Sequence, residues 1–183
     1  MSAGRVLIAG IGNVFLGDDG FGVEVATRID RDDLPDGVDV VDYGIRGVHL
    51  AYELLDGRYS TVVLVDAVPL ADPPGTLAVL EVPLGDDAGR RPDVLAAPAV
   101  DAHGMSPLAV IDLLRGLGGT AGRGGPVERV LVVGCRPAVL EERMELSEQV
   151  QAAVEPACRL AVDVVRDLLR RSHDREGAAA EVA

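Results

Sequence analysis

The chain has no lysine: all seventeen of its cations are arginine. That absence excludes Walker-type phosphate binding and Schiff-base chemistry, both of which need a lysine amine. Cationic charge is also scarce, with thirty acidic residues against seventeen arginines and a net charge of −13. That balance argues against a phosphate-backbone partner, and no nucleic acid is expected. Aromatic content is only 3%, so a core must be assembled from Val, Leu, Ile and Ala. There are two cysteines, Cys135 and Cys158, outside any CxxC pattern. They exclude a disulfide framework and read as core thiols. Apolar runs fall short of the about 18 residues that a membrane helix requires. The first one is soon interrupted by Asn13, Asp18 and Asp19, unlike a signal peptide. The expectation is a cytoplasmic protein without a membrane partner.

The apolar residues that are present alternate between two patterns. The runs "RVLIAG" (5–10), "VDVVD" (38–42), "STVVLVD" (60–66), "TLAVLEV" (76–82) and "RVLVVG" (129–134) predict strands, and three of them are almost continuously apolar, as strands covered on both faces should be. Between them lie helical patterns. "SPLAVIDLLRGL" opens with Ser106 as N-cap and Pro107 at the first helical position. A last helix is predicted over about 147–171, with a kink at Pro156. The alternation predicts an α/β fold: a three-layer α/β/α sandwich around a mainly parallel sheet of about five strands. "TLAVLEV" follows a Pro/Gly turn and is expected to pair antiparallel at an edge. A single domain is expected over 1–171, with a disordered tail over 172–183. Residues 83–101 form an unusually long loop, and the glycine-rich 116–126 a flexible connector.

"GIGNVFLGDDGFGVEV" (10–25) follows the first strand. Gly10 and Gly12 suggest a dinucleotide turn, but Phe15 stands where the third glycine belongs, against close helix–strand packing. The adjacent Asp18 and Asp19 repel pyrophosphate. HExxH, G-x-S-x-G and pepsin-like Asp-Thr/Ser-Gly signatures are all missing from the chain. What remains is Asp18 and Asp19 after the first strand, Asp66 closing the third, and His103 after the long loop. A parallel sheet gathers such positions at one edge. Two carboxylates and an imidazole suit an open, three-ligand site for nickel or zinc. Each also has a plain structural role open to it: Asp18 as cap of the first helix, replaceable by Asn at small cost, Asp66 as a turn residue, His103 as a surface side chain.

"VLIAGIGNVFLGDDGFGVEVATRI", "VVLVDAV", "DAHGMSPLAVIDLL", "VLVVGCRP" and "LSEQVQAAVEPA" together resemble the nickel–iron hydrogenase maturation endopeptidases, in order and spacing over about residues 5–170. The resemblance implies an α/β/α sandwich and an endopeptidase. Its substrate would be the hydrogenase large-subunit precursor, from which it removes a C-terminal extension once nickel is inserted. The family's metal-contacting positions fall on Asp19, Asp66 and His103, so the nickel would be carried by the substrate and no tightly bound cofactor of the protein's own is implied. A family segment of Asp-Gly-Gly-Thr type, linked to substrate recognition, falls on "DYGIRG". Asp42, Gly44 and Gly47 fit it, whereas Tyr43 and Ile45 depart. A monomer is expected. Two other functions on the same fold stay open at this point: a small-molecule metalloenzyme, and a non-catalytic nickel-checkpoint or chaperone module that binds the precursor.

Overall fold

The computed structural model describes residues 4–84 and 106–180. The five apolar runs are strands: β1 (Arg5–Ile11), β2 (Val38–Gly44), β3 (Tyr59–Ala67), β4 (Leu77–Val82) and β5 (Arg129–Cys135). They form one sheet in the order β2-β1-β3-β5-β4. The first four are parallel, and β4 pairs antiparallel with β5 at the edge. β4 follows β3 through the Pro/Gly turn, with no helix between to carry the chain back for a parallel pairing.

Why the central strands β1, β3 and β5 are nearly apolar throughout follows from what covers them. Successive side chains point to opposite faces, so every residue of a doubly covered strand is interior. Val6 and Ile8 of β1, with Val63, Val65 and Val133, face α1 (Phe21–Arg28) and α4 (Glu148–Ala180). Leu7, Ala9 and Ile11, with Val62, Leu64 and Val132, face α2 (Gly47–Leu54) and α3 (Pro107–Gly116). Three layers result, as the alternating pattern predicts.

Capping of α3 also follows the sequence: Ser106 Oγ accepts from Ala109 N at 3.3 Å, with Pro107 in the first turn. Two other expectations are corrected. α4 runs through Pro156 to Ala180, so residues 172–180 of the expected 172–183 tail have a helical backbone, and 181–183 lie outside the described residues. Alanine, abundant there, is the strongest helix former. Segment 116–126 is not an open connector but closes on itself. Thr120 bridges Val127, Ala121 N donates to Val127 O (2.7 Å), and Val127 N donates to Gly119 O (3.0 Å). The long loop 83–101 lies outside the described residues from 85 onward, as does His103.

The sheet order places β1 between β2 and β3, so the chain leaves β1 on one side and returns on the other. α1 therefore packs on one face and α2 on the opposite face. At such a switch point the ligand-binding crevice of an open α/β sheet falls outside the carboxyl ends of the strands, here β1 and β3.

Candidate active site

Both carboxylates of the sequence-based site stand at this crevice. After β1 the chain turns at Gly12, whose φ of +133° is a conformation that side-chain-bearing residues rarely adopt. A Cβ there would collide with the carbonyl oxygen of Asp19 and come within 3.5 Å of Asp66 Oδ1. Gly12 thus lies against both the Asp19 backbone and the Asp66 carboxylate. A 3-10 turn, Gly17–Gly20, then presents Asp19, and Asn13 N donates to Asp19 Oδ2 at 2.7 Å. Asp66, at the end of β3, is buried, and its Oδ1 accepts from Ala67 N at 2.8 Å. Among the described residues no protein donor meets the other oxygen of either carboxylate.

Electrostatically the pair is uncomfortable. Burial pushes Asp66 well above the usual carboxylate range, the charge of Asp19 adds to the shift, and the Ala67 amide opposes it. Burial also raises Asp19, against the Asn13 amide. Two carboxylates in one low-dielectric crevice resist being ionised together. Such a site holds a proton or gains a cation. The third expected member, His103, lies outside the described residues, and among the described residues no three His, Cys, Asp or Glu side chains gather as a metal site. Neither cysteine offers a nucleophile. Burial first, then the Asp18 charge, pushes the Cys135 thiol up to about 12, and burial raises Cys158 too.

Asp18 does not cap the first helix, and this expectation is overturned. Neither the 3-10 turn nor α1 has a side-chain cap. The Asp18 side chain is fully buried and turned to the opposite end of the sequence. Its Oδ2 accepts from Ala138 N (2.7 Å), Val139 N (2.8 Å) and Ser147 Oγ (2.9 Å), and its Oδ1 from Ser147 N (2.6 Å). Burial alone would raise its pKa, but the Ser147, Val139 and Ala138 amides and the Ser147 hydroxyl together hold it below the usual range. Capping loses here because four donors solvate the carboxylate better than one free helical N–H.

Phe15 is also placed differently from the expectation. It is 62% exposed and takes no part in helix–strand packing. The close approach of α1 to the sheet is made by Gly22, where a Cβ would collide with the carbonyls of Val65 and Ile11. Helix and strand thus pack closely in spite of Phe15.

Asp42 and Gly44 stand at the end of β2 on the same sheet edge: Asp42 registers with Gly10, and Gly12 N donates to Gly44 O at 3.0 Å. The two departing residues have separate roles. Tyr43 is buried, and its hydroxyl donates to Glu53 Oε2 at 2.6 Å, tying β2 to α2. Burial, with the Glu53 carboxylate, keeps the phenol protonated far above its ordinary range. Ile45 is 53% exposed beside the crevice. Arg46 fixes the turn between them, donating from Nε to Tyr43 O (3.1 Å) and from Nη2 to Asp42 O (2.5 Å). Sequence reasoning missed Arg46, Asn13 and Ser147. Only Asn13 had a local signal, because it shares the turn with Asp19.

Comparison with known proteins assigns the family. The family model described as hydrogenase maturation protease matches residues 23–164. The chain belongs to the hydrogenase maturation protease family. Its activity is that of a peptidase of hydrogenase maturation. The hydrogenase 2 maturation protease of Escherichia coli is 29% identical over 89% of this chain and 92% of its own length. The solved structure of the hydrogenase maturating endopeptidase HybD of E. coli superposes with a TM-score of 0.68 at 25% identity, over 89% of this chain and 93% of that one. The hydrogenase 2 maturation peptidase of a Thaumarchaeota archaeon is 32% identical, with a TM-score of 0.62 over 88% of this chain and 97% of its own. Among the described residues no helix is long and apolar enough to cross a membrane.

Proposed function

We propose that this hydrogenase maturation protease removes a C-terminal extension from a nickel–iron hydrogenase large-subunit precursor, after nickel insertion, in the cytoplasm. The nickel belongs to the substrate, and Asp19, Asp66 and His103 contact it there. Asp42 and Gly44 contact the precursor chain beside it. The observation that carries this reading is the acid pair itself. Asp66 and Asp19 meet at the crevice, each raised in pKa by burial and each with one oxygen unclaimed by a described donor.

A divalent cation delivered between them removes their mutual repulsion, and carboxylate and imidazole donors suit nickel. Nickel within the precursor supplies Lewis-acid polarisation at the scissile bond. Asp66 and Asp19 orient the substrate through their free oxygens, and an unligated carboxylate oxygen accepts a proton from the attacking water. Metal-free precursor leaves the two acids repelling one another, so cleavage waits for nickel insertion.

The test is cleavage of nickel-loaded and nickel-free precursor under equal conditions, read as mass loss. Only the loaded form should be shortened, and Asp19→Asn and Asp66→Asn should abolish the shortening. Equal cleavage of both forms refutes the role of nickel.

A further inference from the structure

We infer that Asp18 is a positioning residue: it anchors the 3-10 turn that presents Asp19 to the segment between β5 and α4, and so sets where the Asp19 carboxylate sits. This rests on the reading of Asp19 and Asp66 as the pair that meets the metal.

Successive residues of the turn serve opposite sides. The Asp19 carboxylate faces Asn13 and the crevice, whereas the Asp18 carboxylate faces away, fully buried. All four hydrogen bonds on Asp18 come from one stretch, Ala138, Val139 and Ser147, some 120 residues further along the chain. Three backbone bonds extend the same seam: Gly17 N to Arg143 O (2.7 Å), Asp18 N to Val139 O (2.9 Å) and Arg143 N to Phe15 O (3.0 Å).

On its other side, among the described residues, one side-chain bond holds the turn, from Asn13 N to Asp19 Oδ2. Short 3-10 turns have poor internal hydrogen-bond geometry and little rigidity of their own. The aim of Asp19 is therefore set by what docks the turn: the four bonds to the Asp18 carboxylate, with the three backbone bonds beside them. A reactive pair needs placement within a fraction of an ångström, which side chains on an unsupported turn do not keep.

The test is amide hydrogen exchange on the free protein, with Leu64 of β3 as internal reference, in Asp18→Asn and in the milder Ser147→Ala, which removes one of the four donors. Positioning predicts that the Asn13 amide loses protection at least tenfold beyond any change at Leu64, in step with Ala138 and Val139. Ser147→Ala should shift it in the same direction by less. Cleavage of nickel-loaded precursor should fall in kcat, with KM little changed, at a temperature where the variant is folded. If Ala138 and Val139 lose protection while Asn13 keeps it, Asp18 merely fastens the segment and the inference is wrong. Should Asp18→Asn fail to fold, Ser147→Ala carries the same comparison alone. Asp19→Asn separates the two readings. If it still cleaves, the assignment of the metal-contacting pair has failed, whatever Asn13 shows.

Discussion

Replacing Asp18 by asparagine removes one charge and exchanges one acceptor oxygen for a donor. The best placement of the amide keeps its oxygen at the Oδ2 position, where Ala138 N, Val139 N and Ser147 Oγ converge, and sets its NH2 against Ser147 N, now 2.6 Å from an acceptor. An N–H confronting another donor costs about 2 kcal/mol, and three bonds passing from charged to neutral lose about 1 kcal/mol each. Relief from burying a charge returns about 2 kcal/mol of this, given the unfavourable desolvation that the donors now outweigh. The net loss is about 3 kcal/mol, against total stabilities of about 5–15 kcal/mol for domains. For a chain of this size that lowers Tm by roughly 6–12 °C. Urea unfolding at pH 7 reads it as a lower midpoint with unchanged slope. The sign of the pH dependence gives a second check. A lowered native pKa contributes stability above the ordinary carboxylate value of 3.8, and that stability is lost as pH falls through the native value. The gap between wild type and variant should therefore close below about pH 4. A loss under about 1 kcal/mol at pH 7, at constant slope, would show that the four donors do not hold a carboxylate.

The crevice acids have the opposite sign. Because Asp66 and Asp19 are raised by burial, and Asp66 also by its neighbour, their contribution is present below the ordinary carboxylate range and lost as pH rises through the native values. Asp66→Asn should then flatten the decline expected of metal-free wild type as pH rises above about 4; a wild type that instead gains more stability than the variant as pH rises refutes the shift. Gly12→Ala should lower stability by about 2 kcal/mol or more, since the methyl meets the Asp19 carbonyl and the residue keeps a positive φ. Cleavage should be lost at temperatures where the variant remains folded, and retained activity would mean that Gly12 does not set the approach of the two acids.

What the sequence shows of this molecule, and what it hides, divides by the range of the interaction. Strand positions are legible because burial on both faces writes itself as an unbroken apolar run, and β4 betrays its direction by the Pro/Gly turn before it. Asp66 is legible for the same reason: a charged residue closing "TVVLVD" has to sit where the sheet meets its crevice. Asp18 and Asp19 are indistinguishable by composition or by helical position, and local rules favour a cap for the first of them. The cap is refused by residues more than a hundred positions away. Backbone amides of Ala138, Val139 and Ser147 carry no side-chain signature that a donor set awaits a carboxylate. Segment 116–126 misleads in the same way, its glycines reading as looseness although Gly119 and Thr120 close a bridge onto Val127. An aspartate at a helix start can thus be read as a cap only until the tertiary fold offers it more donors. In this turn one aspartate takes those donors, and its neighbour keeps an oxygen at the crevice that no described donor meets.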